Sequence, residues 1–320
     1  MQPSLWDRWL DASLLGGYTS LGYRLRKKHF QPLPCDLHGR HIAITGANSG
    51  LGKAATAMLA ERGATVSMLC RNLDAATNVK LELGEQYPGA RLQVIHCDLA
   101  EPDSVDDALA QLAQSAPLDA LINNAGVLNR KRIDTAAGLE QSFAINVLGT
   151  FRLTLGIAPL LREKGRIVTV SSGGMYGAAI HLADPQYRSR AYKGVQAYAE
   201  HKRMQVMLTQ IWARLWPQRQ VNAMHPGWAA TPGVAKSLPG FNTLMSPLLR
   251  SPEQGVETAV WLAVAGDVDA SGAFWCDRRE RPIVRLARTR PDPGEAEQLW
   301  NMCLAENSLQ GPPFPATAPA

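Results

Sequence analysis

Between His41 and Trp275 the chain alternates short apolar runs with longer helical stretches, and no other feature narrows the fold as much. The apolar runs are His41–Thr45, Thr65–Leu69, Arg91–His96, Leu118–Ile122, Arg166–Val170, Gln220–Met224 and Ala273–Trp275. Helices are predicted over Gly50–Arg62, Leu73–Gln86, Pro102–Ser115, from Gly138 past Leu155, over Val195–Leu215 and over Pro252–Val264. Pro102 stands at a helix start, where a missing amide costs little, and Pro217 stops the helix before it. Short apolar strands separated by helices imply a parallel sheet covered on both faces. Right-handed crossovers then give a doubly wound α/β domain with a seven-stranded parallel sheet.

No break in composition divides residues 40–282, which read as one domain. Residues 1–39 form a helical and basic extension, with Trp6, Trp9, Leu10, Leu14 and Leu15 spaced for one helix face, then Arg24, Arg26, Lys27 and Lys28. This extension either packs on the domain or makes peripheral contact with a lipid surface, and aromatics at helical spacing favour packing. Residues 283–320 form a C-terminal segment with a helix over 293–306 and an expected disordered tail, Gly311–Ala320.

Hydrophobic residues make up 46% of the 320, ample for a core, yet no uninterrupted apolar run has the length of a membrane span. The first ten residues carry Asp7 and Arg8 and lack a signal-peptide apolar region. Five scattered cysteines without metal-ligand spacing point to reduced thiols in a cytoplasmic protein and to no metal site. The net charge of +5 comes partly from a second basic cluster of Arg278, Arg279, Arg281, Arg285, Arg288 and Arg290. No nucleic-acid motif accompanies it, so it reads as solvated surface and no nucleic-acid partner is expected.

The first strand leads into Thr45-Gly46-Ala47-Asn48-Ser49-Gly50-Leu51-Gly52, which opens the first helix. Gly46 permits the tight turn, and Gly50 and Gly52 let backbone approach a pyrophosphate at the helix N-terminus. Ser49 adds a hydroxyl. Placed between strand and helix, the glycine pattern is a strong sign of a Rossmann-type dinucleotide site. The second strand ends at Cys70-Arg71, where NAD selectivity requires a carboxylate. Arg71 instead suits a ribose 2′-phosphate, which predicts NADP(H) over NAD(H). Asp98 and Leu99 end the third strand and either border adenine or, for Asp98, cap the next helix. Asn124, Ala125 and Gly126 follow the fourth strand at the crevice edge. Pro226 and Gly227 follow the sixth, near enough for backbone to meet a nicotinamide carboxamide, with Thr231 as a donor beyond them.

Tyr198 stands four residues before Lys202, which places phenol and ammonium on one helix face. An ammonium there is expected to lower the phenol pKa from its usual value of about 10, making it an acid or base near neutral pH. The ordered set of the glycine turn, Asn123-Asn124-Ala125-Gly126, Asn146, Ser172, Tyr198, Lys202 and His225-Pro226-Gly227 resembles the short-chain dehydrogenase/reductase family over roughly residues 40–277. The stretches Val170–Met175, His225–Gly233 and Phe274–Arg279 resemble more narrowly its branch of member 12-like proteins.

The resemblance implies that Tyr198 is general acid or base, that Lys202 binds the nicotinamide ribose, that Ser172 hydrogen-bonds the substrate oxygen and that Asn146 holds a water beside Lys202. It selects Ser172 over Ser171 because the family's serine is the second of such a pair. It further implies hydride transfer between nicotinamide and a hydrophobic carbonyl or alcohol, and a homo-oligomer. The alternative is a non-catalytic NADP(H)-binding sensor or scaffold, which would not need the proton-transfer set. Ser172 and Tyr198 are 26 positions apart, about twice the spacing of many family members. The extra loop from Tyr176 to Lys193 carries His181, Tyr187, Arg188 and Arg190, and long loops beside a site often form lids. His181 either touches substrate or is solvated.

Overall fold

The computed structural model describes residue 10 and residues 13–115, 117–237, 239–266 and 268–315. Its sheet is built from β1 (His41–Thr45), β2 (Thr65–Cys70), β3 (Arg91–His96), β4 (Leu118–Asn123), β5 (Leu161–Val170), β6 (Gln220–Met224), β7 (Phe274–Cys276) and β8 (Arg279–Arg281). Their spatial order is β3-β2-β1-β4-β5-β6-β7-β8. The first seven pair parallel, so the order reverses between β1 and β4 and leaves a crevice at the strand C-termini there.

Two helices precede the sheet, α1 (Leu14–Tyr18) and α2 (Ser20–Lys27). The crossovers are α3 (Gly50–Ala60), α4 (Leu73–Gln86), α5 (Pro102–Ala113), α6 (Thr150–Ile157) and α7 (Gly194–Leu215). After β6 come α8 (Pro232–Ser237), α9 (Pro239–Met245) and α10 (Pro252–Val264), and α11 (Glu295–Glu306) follows β8. Each sheet face is covered. Ala55, Leu59, Val79, Leu83, Val256 and Val260 pack α3, α4 and α10 on one side. Val105, Phe151, Leu208, Trp212 and Trp300 pack α5, α6, α7 and α11 on the other. The central strands lack polar alternation because both of their faces are dry: β1 and β4 are buried at every position, whereas the edge strand β3 is exposed at Arg91, Gln93 and His96.

The expected seven-stranded parallel sheet has eight strands among the described residues, and β8 runs antiparallel to β7. Asp277 and Arg278 form the turn between them, both with φ +52, the geometry of a two-residue hairpin that favours glycine or asparagine. The strain is held by buried charge. Asp277 accepts from Arg26 and Arg250, and Arg278 pairs with Glu257.

The long helix expected from Gly138 also differs. Gly138 has φ +75, outside helical geometry, and the first turn starts at Gln141, capped by Glu140. Residues Ala144–Gly149 are wound as a π-helix before α6 resumes, and Thr150 Oγ1 donates 3.1 Å to Ile145 O. Such bulges occur mostly at functional sites, and this one contains Asn146. The run Gln141–Leu160 is apolar and long enough to cross a membrane, but most of it is buried in the protein.

Residues 13–30 fold against the domain: Tyr18, Tyr23 and Arg26 are buried, while Leu21, Arg24 and Lys27 face outward. Trp6 and Trp9 lie outside the described residues. In the tail expected to be disordered, Phe314 packs beneath the Arg214 guanidinium at 5.5 Å, whereas 316–320 lie outside the described residues.

Candidate active site

The turn after β1 is fixed by its neighbours. Gly46 takes φ +66 and donates its amide to Leu69 O at 2.8 Å. Thr45 Oγ1 accepts the amides of Asn124 and Ala125, both at 2.9 Å, and Asn124 Nδ2 donates 2.8 Å to Thr45 O. A β-carbon added at Gly52 would collide with Gly46 O and lie 2.6 Å from Asn124 Nδ2. Asn124 and Ala125 therefore shape the cradle, leaving the exposed Ser49, the half-buried Asn48 and the α3 N-terminus to face the crevice. Leu51 turns the other way and packs on Gly255. Thr231 lies against Gly50, 3.3 Å from where a β-carbon would stand.

Arg71 leaves the end of β2 with its side chain 62% exposed, loosely paired with Asp98 at 3.9 Å. Asp98 Oδ1 accepts the Ala100 amide at 3.0 Å, while Glu101 occupies the N-cap of α5, so Asp98 closes a local turn and does not cap the helix. Leu99 is buried against Gly149. Pro226 and Gly227 follow β6, with Pro226 O accepting from Arg250 at 3.4 Å.

Ser172, Tyr198, Lys202 and Asn146 converge at the C-terminal ends of β4 and β5. The Ser172 hydroxyl lies beside the Tyr198 phenol, whose pKa it lowers, and accepts the Gly174 amide at 3.1 Å. Ser171, one residue earlier, donates its hydroxyl to Lys202 O at 2.8 Å and lies buried. Alternation along the strand thus separates the two serines: one ties the sheet to α7, the other reaches Tyr198. Lys202 Nζ donates 2.9 Å to Val170 O and 2.9 Å to Gln205 Oε1. Gln205 Nε2 in turn donates 2.7 Å to Asn146 O. The Asn146 amide grips the Val127 backbone through both ends, each at 2.9 Å. A β-carbon at Gly126 would stand 3.1 Å from Lys202 Nζ and 3.2 Å from Asn146 Oδ1, so glycine keeps this corner open.

The expected lowering of the Tyr198 pKa by its neighbour is not what this geometry produces. Burial pushes Tyr198 up to about 12, opposed by the neighbouring Ser172 hydroxyl. Burial also lowers Lys202 to about 7. Its amine sits 5.5 Å from the tyrosine ring centroid, and its lowered pKa weakens the positive charge available to the phenol. Nearby His225 is held neutral by burial and by the field of Arg250, Arg281, Arg285 and Arg26.

The long loop before α7 is pinned as a wall. Buried Glu200 accepts from Tyr187 Oη at 2.8 Å and Arg190 Nη2 at 3.0 Å. Tyr176 Oη donates 2.8 Å to Pro282 O, and Tyr192 reaches the buried Glu140 at 3.1 Å. His181 is exposed. A cavity of about 360 Å³ opens beside the start of α7, lined by Leu128, Arg130, Gly194, Val195, Ser237 and Pro239 among others.

Sequence reasoning missed Gln205, which joins Lys202 to Asn146. Its position three residues after Lys202 on the same helix was the available signal. It also missed Tyr18 and Arg250, whose side-chain partners lie 24 or more positions away and leave no local pattern.

The glycines at 46, 52 and 126 leave room for a dinucleotide laid across β1 and β4, which fits a nicotinamide cofactor. The family model for short chain dehydrogenases matches residues 40–240. Dehydrogenase/reductase SDR family member 12 from Bos taurus is 41% identical over 88% of this chain and 91% of its own length. Retinol dehydrogenase 14 from Homo sapiens is 32% identical over 83% of this chain and 85% of its own. A solved structure from Mycobacterium paratuberculosis covers 94% of this chain and 100% of its own with TM-score 0.69 and 27% identity. Another, from Beutenbergia cavernae with bound NADP, covers 75% of this chain and 96% of its own with TM-score 0.62 and 25% identity.

Proposed function

Because the chain belongs to the short-chain dehydrogenase/reductase family and is an oxidoreductase of that type, we propose that it is an NADP(H)-dependent reductase of hydrophobic carbonyls. The observation that carries the proposal is the convergence of Ser172 and Tyr198 with the hydrogen-bonded Lys202–Gln205–Asn146 chain at the mouth of the crevice.

A bound dihydronicotinamide supplies the hydride. The α3 N-terminus, Asn48, Ser49 and the Gly50 turn hold its pyrophosphate, and Arg71 holds the 2′-phosphate by charge-assisted hydrogen bonds. Pro226, Gly227 and Thr231 would border the nicotinamide. Ser172 and Tyr198 aim two hydroxyls at the substrate oxygen, where negative charge develops. With its pKa near 12, Tyr198 is protonated at neutral pH and serves as the acid. In the reverse direction the same phenol, as phenolate, takes the proton, and the choice of NADPH as hydride donor makes reduction the proposed direction. Lys202, whose burial brings its pKa down to about 7, returns a proton to Tyr198. The apolar lining of the cavity, Leu128, Val195 and Pro239, and a relative named for retinol support a hydrophobic substrate. The five cysteines are free thiols, which suits a cytoplasmic setting.

The test is consumption of NADPH and NADH with a panel of aliphatic, aromatic and lipid-derived aldehydes and ketones. NADPH-dependent turnover supports the proposal. Tight NADPH binding with no turnover across the panel would instead make the chain a nucleotide sensor.

A further inference from the structure

The segment preceding β1 reaches the catalytic end of the sheet. Tyr18, at the end of α1, stacks on His225 with ring centroids 5.1 Å apart and lies 5.4 Å from Trp228. Its carbonyl accepts the Trp228 amide at 2.8 Å. On its other side it presses on the backbone after Ser172: a β-carbon at Gly173 would overlap the Tyr18 ring and stand 2.6 Å from its hydroxyl. One side chain therefore separates and spaces two loops. The first carries Ser172, and the second carries Pro226 and Gly227.

Buried charge fixes the segment in this place. Arg250, 1% exposed, donates to Thr19 O and Gly17 O, both at 3.2 Å, and pairs with Asp277 at 2.7 Å. Arg26, also 1% exposed, donates 2.6 Å to Gly16 O and pairs with the same Asp277 at 2.9 Å. Arg250 Nη1 further reaches Pro226 O at 3.4 Å. Releasing the segment would break buried ion pairs, which is strongly unfavourable once one partner is left alone. Residues 16–26 thus form a fixed wall of the site.

We propose that Tyr18 is a positioning residue of the reaction: it sets the distance between the Ser172 loop and the turn after β6, and so the aim of the Ser172 hydroxyl at the substrate oxygen. Tyr18 is 8% exposed, so it acts through these two loops and does not need to touch substrate. Rate is sensitive to such spacing, because hydride donor, acceptor carbon and proton donors must align together. The inference rests on the carbonyl-reductase reading.

The test uses the full-length chain with Tyr18→Leu and Tyr18→Phe. It measures kcat and KM for a carbonyl the unaltered protein reduces, NADPH affinity by fluorescence, and the unfolding midpoint, with assays run well below that midpoint. Tyr18→Leu removes the stacked ring and is expected to lower kcat on the order of 10- to 100-fold. NADPH affinity should fall by much less than kcat, because the turn after β6 borders only the nicotinamide end while the pyrophosphate cradle at β1 and β4 is untouched. Tyr18→Phe keeps the ring and should restore most of kcat. Unchanged kcat in Tyr18→Leu, failure of Tyr18→Phe to recover it, or an equal loss of NADPH affinity would overturn the role. Where Tyr18→Leu does not accumulate as folded protein, Gly173→Ala presses on the same contact. A fall in kcat with NADPH affinity retained supports the role, and unchanged kcat overturns it. If the unaltered protein reduces no carbonyl, the reductase reading fails and takes this inference with it. An active protein indifferent to both substitutions defeats the Tyr18 role alone.

Discussion

Lys202 offers a quantitative test that needs no substrate. The residue is 2% exposed, and burial lowers its pKa from 10.5 to about 7. One pKa unit is about 1.36 kcal/mol, so charging this amine is about 5 kcal/mol harder in the folded chain than in the unfolded one. The folded state therefore binds fewer protons than the unfolded state between pH 7 and 10.5. Stability must rise with pH across that window, and below it the full cost of the buried charge is present. Lys202→Met removes this titration while filling similar space. It also leaves Val170 O and Gln205 Oε1 without their donor, a cost of roughly 1–3 kcal/mol each that does not vary with pH. The absolute stability change mixes these effects, but the difference in pH slope isolates the amine. Urea unfolding of both proteins at pH 7, 8 and 9 should show the unaltered chain gaining about 2 kcal/mol relative to Lys202→Met from the lowest to the highest pH. Parallel curves would mean that Lys202 titrates near its ordinary value, and the reasoning about its burial would be wrong.

Arg71→Asp should move the NADPH-to-NADH preference, read as a ratio of kcat/KM, toward NADH by on the order of 10- to 100-fold, with little change in stability because the side chain is largely exposed. Gly52→Val places atoms on Gly46 O, so dinucleotide binding measured by fluorescence titration should vanish and the unfolding midpoint should fall. Asp277→Ala strands the Arg26 and Arg250 guanidiniums and removes the support for a left-handed turn, for an expected loss of about 3–5 kcal/mol in denaturant unfolding.

The sheet core was legible because burial on both faces marks the central strands: β1 and β6 begin and end where the apolar runs do. The glycine turn was legible because close backbone approach allows few residue types. Three features were not. The β7–β8 hairpin has Asp277-Arg278 in place of a glycine turn, and its strain is held by Arg250, 27 residues before Asp277, and by Arg26, 251 before it. The π-helical turn around Asn146 leaves the apolar helical pattern intact, so periodicity runs straight through it. The Tyr198–Lys202 spacing places both groups on one face of α7, but it carries no information about solvent. Burial reverses the expected direction for Tyr198 and sets the value for Lys202. The Ser172 hydroxyl could be chosen over Ser171 only by resemblance, whereas the structure separates them by where each hydroxyl points.

The most direct test follows the hydrogen atoms. NADPH carrying deuterium at the transferable C4 position is incubated with a carbonyl substrate and the unaltered protein or Tyr198→Phe, and the alcohol product is examined by mass spectrometry and NMR. The account predicts one deuterium on the carbinol carbon with the unaltered protein. It predicts a rate lowered on the order of 10²- to 10⁴-fold by Tyr198→Phe, with NADPH still bound. Alcohol formed without deuterium on that carbon, or formed equally fast without the phenol, would contradict it.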